Sequence, residues 1–256
     1  TNAFTRIIEI DSRRWIKFLL KYLPNISKYS LDDFDDCQVR MLQMTQFTIW
    51  QKPYEKCGFT DLLDGFRQLE KSPVMLGEML DILRYNYDRI DFVDKPVDLG
   101  FDCPLDLHCT YTRDQILLAL DFMKPNTVRE GTKYLKDKKL DIHFITLNKS
   151  EKDYSPTTMY DDYSINEVLF HWQSQSTISD TSVTGRRYIN HRQTGDRELV
   201  FVREYKKRKN LGAPPFTFLG LADYVTHEGS KPLNIVWKLR GPIPAKYIKK
   251  TNKLVV

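Results

Sequence analysis

The chain reads LFHWQSQS from Leu169 to Ser176, and aromatic and polar residues alternate from Phe170 to Gln173. Such a period of two is typical of a β-strand, in which successive side chains point to opposite faces of the sheet. Aromatic rings, amides and an imidazole side by side suit a surface that stacks on a planar ring and hydrogen-bonds to its edge. Nucleobase recognition needs both capabilities. An amphipathic strand with a merely polar outer face is the alternative interpretation.

Further alternating stretches surround this strand, and turn-forming residues separate them. Gly220 lies within one of these stretches and indicates a β-bulge. Short strands at this spacing predict a curved sheet or a partly closed β-barrel. Besides 168–175, the predicted strands cover residues 141–147, 187–191, 198–204, 216–225 and 233–239.

The N-terminal part of the chain shows helical spacing of its hydrophobic residues instead. Asp11-Ser12 is predicted to cap one helix, Pro73 to begin another, and Thr112 with Gln115 to form a capping box. Residues 91–106 predict an extended crossing. The sequence therefore predicts an α+β chain with a helical bundle over residues 1–98 and a β-rich domain over residues 99–256.

The positive charge of the chain is concentrated towards its C-terminus. The total is +5 over 256 residues, but residues 1–100 carry −2, residues 101–256 carry +7, and residues from 181 onward carry +11. A polyanion is therefore expected to meet the C-terminal part. No apolar run approaches the roughly 20 residues that span a bilayer, so no membrane partner is expected.

Four scattered cysteines indicate reduced thiols in a cytoplasmic protein. Cys103, His108 and Cys109 lie close together in the sequence, but a structural zinc site normally needs four ligands, so no metal is predicted. Because the chain begins with Thr1, we expect it to be part of a longer protein.

Sequence motifs for catalysis are weak. There is no glycine-rich phosphate loop and no nucleophile elbow, and no histidine stands in an H-x-K pair. Asp141 begins a predicted strand, and Glu204-Tyr205-Lys206 follows later in the chain. These residues resemble only weakly the Asp and acid-x-Lys motif of a magnesium-dependent nuclease. We predict that this part of the chain is not an enzyme. A metal-dependent nuclease domain and a protein-interaction scaffold of a helicase are the alternatives.

A tyrosine-rich and acidic segment, residues 154–163, leads into the aromatic strand. Rings can stack on a base that has left the duplex, and a carboxylate can accept a hydrogen bond from the N4 amine of cytosine. An acidic turn before a helix is the alternative. The candidate pocket for a modified base consists of Tyr160, Asp161, Asp162, Tyr163, Phe170, Trp172 and Ser174.

A second set of residues is predicted to contact DNA outside that pocket. The cationic side chains can bind phosphates. The amide side chains can hydrogen-bond to base edges or fill the gap that a flipped base leaves in the duplex. The Lys206–Lys209 run, taken alone, is more typical of an exposed loop. The candidates are His171, Gln173, Gln175, Arg186, Arg187, Tyr188, His191, Arg192, Lys206, Lys207 and Arg208.

The stretches around these residues resemble a known family. The resemblance covers residues 100–245, including Pro104–His108, Tyr111–Leu117, Phe170–Ser176, Thr184–Ile189 and Trp237–Leu239. They resemble the uncharacterised domain that follows a phospholipase-D-like nuclease and a DEAD/DEAH helicase, and in particular the SauUSI-type family of ATP-dependent type IV restriction endonucleases.

This resemblance implies a helical coupler followed by a target recognition domain that binds 5-methylcytosine in double-stranded DNA. It implies a fold similar to the SRA-like base-flipping domains. It also implies that ATP and magnesium serve the helicase and nuclease domains of the same polypeptide and that this part holds no cofactor. A homodimer is one of the partners considered for the full-length protein. The pocket residues listed above come from their chemistry and are not carried over from the family.

Overall fold

The computed structural model describes residues 2–148, 162–208 and 212–251. The chain divides into two compact units, Thr1–Val128 and Arg129–Val256. The sequence placed the boundary near residue 98. Residues 94–115 instead pack within the first unit, because Asp94 pairs with Arg13 and the Gln115 side chain donates to Thr48 at 2.8 Å.

The first unit is mainly helical, as the sequence predicted. Ser12 accepts a hydrogen bond from the backbone N–H of Trp15 and caps the second helix, and Thr112 forms the predicted capping box with Gln115. The elements are α1 (Asn2–Ile7), α2 (Arg13–Tyr22), α3 (Asp36–Trp50), α4 (Asp64–Glu70), α5 (Pro73–Arg89), the short strand β1 (Thr110–Tyr111) and α6 (Arg113–Ala119).

The described residues of the second unit form one mixed sheet and two α-helices. Its strands lie in the order β2-β3-β6-β7-β8-β5-β4, and only the β3–β6 pair is parallel. The elements are β2 (Thr132–Leu135), β3 (Leu140–Asn148), β4 (Tyr163–Ser164), β5 (Leu169–Gln173), α7 (Val183–Thr194), β6 (Arg197–Tyr205), β7 (Phe216–Glu228), β8 (Asn234–Leu239) and α8 (Ala245–Thr251).

The sheet of the second unit is open but strongly curled. Along the described strands the hydrogen-bonded ladder runs from β2 at one edge to β4 at the other and does not close into a barrel. The rings of His143 on β3 and Trp172 on β5 nevertheless have centroids 4.6 Å apart. In a flat sheet the four strand spacings between β3 and β5 would separate them by about 19 Å. The predicted curvature is therefore present, and the hydrophobic core fills its concave side.

The predicted bulge at Gly220 is confirmed. Val200 pairs with Gly220 and Phe201 with Phe218, so one residue of β7 is skipped in the β6–β7 ladder. Gly220 has φ of +91°, a backbone conformation that favours glycine. The bulge bends β7, which pairs with β6 through its first half and with β8 through its second half.

The predicted strand at residues 187–191 is wrong, because this segment lies within helix α7. Ser182 caps the helix by accepting from the Gly185 N–H, and Gly195 ends it in the left-handed conformation with φ of +76°. Tyr188 and Ile189 have high β-propensity, but the helix buries Gly185, Tyr188 and His191 on one stripe against the sheet. Packing of that stripe outweighs local propensity.

Candidate nucleic-acid interface

The two faces of β5 have different environments. Phe170 and Trp172 are buried at 0% and 5% exposure, whereas Leu169, His171 and Gln173 on the other face are partly exposed. The alternation predicted for this strand is therefore correct. The two sets of side chains cannot serve one pocket, because the thickness of the sheet separates them.

The inner face contributes to an aromatic core. The Trp172 ring lies 4.6 Å from His143, 5.5 Å from Tyr188 and 6.3 Å from Trp237, measured between centroids. Phe170 belongs to the same cluster. The sequence assigned Phe170 and Trp172 to the base pocket and Tyr188 to DNA contact; in this structure their rings pack against one another in the core.

Two further candidates make hydrogen bonds that hold the fold. Ser174 Oγ accepts from the backbone N–H of Leu233 at 2.9 Å and joins the ends of β5 and β8. His191 is buried, its Nδ1 lies 3.3 Å from the Asp196 carbonyl oxygen, and its Nε2 accepts from the Tyr224 N–H at 3.0 Å. Nδ1 therefore carries the proton and the ring is neutral. Burial lowers the pKa of His191, which agrees with this assignment.

The outer face of β4, β5 and β8 presents rings and amides towards solvent. The rings of Tyr163 and His171 are stacked with centroids 4.6 Å apart and planes inclined by 15°. The Gln173 amide donates to Asn234 at 3.0 Å beside this pair. We call Tyr163, His171, Gln173 and Asn234 the outer-face cluster. It unites three of the sequence candidates on one accessible surface.

One further pocket candidate, Asp162, directly precedes β4. Asp162 is 8% exposed and accepts from the backbone N–H of Gln173 at 3.0 Å, so its carboxylate is held at the edge of β5. Tyr160 and Asp161 lie outside the described residues. Gln175, predicted to read bases, donates instead to Thr132 Oγ1 on β2.

The predicted DNA-contacting cations occupy different environments. Arg186 and Arg192 on α7 and Lys207 after β6 are exposed, whereas Lys206 and Arg208 are half-buried. Arg187 is directed inward: its Nη2 donates to Asp141 Oδ1 at 3.0 Å, and its guanidinium lies 3.8 Å from the Tyr134 ring centroid. Only 16% of the Arg187 side chain is exposed. Arg187 is therefore an internal ion-pair partner of Asp141.

A buried histidine–glutamate pair is the feature that the sequence reasoning missed. His143 Nε2 and Glu198 Oε2 lie 2.7 Å apart, and both side chains have zero exposure. The parallel register places Asp141 of β3 opposite Glu198 of β6. Ionisable residues within otherwise hydrophobic strands are the sequence signal that could have indicated this pair: Asp141 and His143 on β3, and Glu198 on β6.

Burial determines how this pair holds its proton. It lowers the pKa of His143 to about 4, and burial together with the Asp141 charge raises the pKa of Glu198 well above its usual range. Both groups are therefore uncharged in the folded state at neutral pH, with one proton shared between them. A neutral pair avoids the cost of an ionised carboxylate in a dry core.

We expect this pair to make the second unit less stable as the pH rises above about 6.5. The unfolded chain has then released both protons, since the ordinary pKa values are 4.5 and 6.5, whereas the folded state keeps one. Stability should fall by up to about 1.4 kcal/mol per pH unit up to the raised pKa of Glu198. Hydrogen exchange of β3 and β6 between pH 6.5 and 8.5, corrected for intrinsic rates, measures this.

Glu198→Gln should abolish this slope, because a glutamine amide can still donate to His143 but does not titrate. Glu228→Gln, at an exposed position on β7, is the matched control and should leave the slope unchanged. An unchanged slope in the Glu198→Gln variant would show that other titrating groups cause the slope and that this pair does not.

One cluster of acidic side chains in the first unit, which includes Asp94 and Asp106, is neutralised by arginines. Ligand atoms of Asp94, Asp106 and Cys109 lie within 4.8 Å of one another. Arg13 pairs with Asp94, and Arg14 Nη2 lies 2.8 Å from Asp106 Oδ1. These contacts tie the start of α2 to the segment before β1. The two cations already balance the carboxylates, so the group is an internal ion-pair network.

These features define a class of protein: a helical unit joined to an α/β unit with an open, curled, mixed sheet and an exposed surface of rings and amides. The chain belongs to the family described as domain of unknown function DUF3427, whose model matches residues 105–250. This domain is known in helicase-associated proteins. No curated protein gives a significant match to the chain. Each helix in the described ranges is too short or too polar to span a membrane.

Proposed function

We propose that Arg129–Val256 recognises 5-methylcytosine in double-stranded DNA by extruding the modified base from the duplex. The observation that carries this proposal is the division of charge between the two units. Residues 129–256 carry a net charge of +9, whereas residues 1–128 carry −4. The unit with the outer-face cluster is therefore also the unit that attracts a polyanion.

The outer-face cluster offers the two interactions that an extruded cytosine needs. A base can extend the Tyr163–His171 stack, which is worth roughly 1–3 kcal/mol per base. Gln173 and Asn234 amides can hydrogen-bond to its edge. Asp161 and Tyr160, which lie just before β4 in sequence, remain the proposed partners for the N4 amine and the second ring face. Phe170, Trp172 and Ser174 support this surface from the inner side of the sheet.

We infer that this unit is the target recognition part of a SauUSI-type, NTP-dependent type IV restriction endonuclease in the cytoplasm, and that Thr1–Val128 is its coupler. The family match and its association with helicases support this assignment. ATP and magnesium would then serve helicase and nuclease domains elsewhere in the same polypeptide. The full-length protein would act as a homodimer.

Tyr163→Ala should weaken binding to a methylated duplex about 5- to 150-fold, the equivalent of one lost base stack. Binding to the unmethylated duplex should change little, because no base is then extruded. Fluorescence anisotropy of the 256-residue chain with matched duplexes measures both affinities, and 2-aminopurine beside the target reports extrusion. Tyr85→Ala, at an exposed tyrosine of the acidic unit, is the matched control.

Equal affinity of the unaltered chain for methylated and unmethylated duplexes would exclude the proposal. Salt provides a second check, because binding through phosphates must weaken with rising salt concentration.

A metal-dependent nuclease is the alternative that one observation favours. Asp141 and Glu198 face each other on adjacent parallel strands, as paired acids of sheet-based metal sites do. Against this alternative, the Asp141 carboxylate is already paired with Arg187. Asp141 and Glu198 are also buried, with 1% and 0% exposure. Magnesium-dependent cleavage by the purified chain, lost in Asp141→Ala, would support this alternative. A scaffold role of Thr1–Val128 would appear as self-association in light scattering.

A further inference from the structure

Helix α7 turns one face to the sheet and the opposite face to solvent. Gly185, Tyr188 and His191 form the buried stripe. Opposite this stripe, at helical spacing, lie Val183, Arg186, Asn190 and Gln193. We call these four residues the α7 outer stripe. Within the described residues the polar side chains of this stripe make no hydrogen bond or ion pair with the rest of the chain.

The composition of the α7 outer stripe is unusual for a helix that only faces water. Such helices commonly carry acid–base pairs three or four residues apart, but α7 contains no Asp or Glu. Valine and asparagine are also weaker helix formers than the lysine and glutamate usual at such positions. Residues that oppose local propensity without a packing reason are expected at functional positions.

We propose that the α7 outer stripe enters the major groove beside the modified base and reads the flanking base pairs. Arginine can form two hydrogen bonds with guanine, and asparagine or glutamine can form two with adenine, so the stripe carries three residues suited to base edges. A helix about 10–12 Å wide fits the major groove of about 12 Å. This inference rests on the proposed function, because DNA binding by this unit brings the duplex to the helix.

Cations at the C-terminal end of α7 are placed to hold the phosphates that border the groove. Arg192 and Arg240 share the Asp223 carboxylate at 3.4 Å and 3.0 Å, so one positive charge remains in excess. Their side chains are 60% and 54% exposed. Lys139 donates to the Thr194 carbonyl oxygen at 2.8 Å and adds another exposed cation. Phosphate contacts of this kind set the register of a protein on DNA without reading sequence.

Selection of binding sites from duplexes with one methylated cytosine and randomised flanks tests the inference on the 256-residue chain. The unaltered chain should enrich particular flanking bases. Arg186→Ala should reduce the preference at one guanine position about 5- to 150-fold, the range of a bidentate contact. Arg186→Lys should lose the same preference but retain the dependence on salt, because it keeps the charge. Asn190→Ala and Gln193→Ala should each relax an adenine position.

Arg129→Ala is the charge-matched control, since Arg129 is exposed in the same unit but lies outside α7. It should weaken binding evenly across sequences. Methyl-dependent binding without any flanking preference, or a preference unchanged in all three α7 variants, would overturn this inference and leave the proposed function standing. A flanking preference that depends on α7 but not on methylation would support the inference and exclude the modified-base function.

Discussion

Replacing Gly185 with alanine is expected to destabilise the second unit by about 3 kcal/mol or more, because the added methyl group would overlap the backbone. A Cβ at this position would lie 1.9 Å from the carbonyl oxygen of Ser179 and 3.2 Å from a Leu233 methyl. Side-chain adjustment cannot relieve contact with a backbone atom, so the loop or the helix must move. Overpacking usually costs about 1–3 kcal/mol and more where the backbone is involved.

Gly77→Ala provides a control, because it is expected to change stability in the opposite direction. Gly77 lies inside α5 and has nothing within 4 Å of its Cβ position. Gly77→Ala should therefore stabilise the first unit by about 0.5–1 kcal/mol through helix propensity alone. Urea unfolding with hydrogen exchange assigns each change to its unit. If Gly185→Ala matched Gly77→Ala in sign, α7 would not be docked as described.

Arg187→Ala is expected to cost roughly 3–5 kcal/mol, because it leaves the Asp141 carboxylate in the core without its partner. The sequence alone predicted that Arg187 contacts a phosphate. If that were its role, Arg187→Ala would weaken DNA binding without destabilising the fold. Asp141 is 1% exposed and its two oxygens accept from Arg187. The free energy of unfolding, measured by urea titration, decides between these roles.

Two comparisons sharpen this second experiment. Arg186→Ala, one residue away but exposed, should change stability by no more than about 0.5 kcal/mol.

Burial already raises the pKa of Asp141, and loss of Arg187 should raise it further. The cost of Arg187→Ala should therefore shrink as the pH falls and Asp141 takes up a proton. Asp141→Asn in the same background should restore part of the lost stability. Equal stability of the two arginine variants would contradict the ion pair.

The contrast between neighbouring arginines explains why the site could be predicted only in part. The sequence identified Arg186 and Arg187 as equivalent cations, because composition does not reveal which one points inward. The helix separates them by about 100° around its axis, which directs Arg187 to Asp141 and leaves Arg186 in solvent. The strand predicted for residues 187–191 left Arg186 outside the element, so it did not show which of the two arginines points inward.

The buried pair of His143 and Glu198 illustrates a second limit. These residues are 55 positions apart and meet only because β3 and β6 are parallel neighbours. Charged residues are rarely fully buried, so sequence reasoning assigns them to the surface by default. The sequence predicted a curved sheet, but no local signal indicated which distant strands pair or that His143 lies beside Trp172.

The sequence by itself determined the order of helical and β-rich regions, the caps of α2 and α6, the bulge at Gly220 and the alternation along β5. These depend on the period of hydrophobic residues and on local backbone preferences, which a short stretch carries within itself. Only the tertiary structure decided that β5 turns Trp172 into the core and His171 outward, and that 183–194 is a helix. Those outcomes depend on which surfaces bury each other, and burial is a property of the whole folded unit.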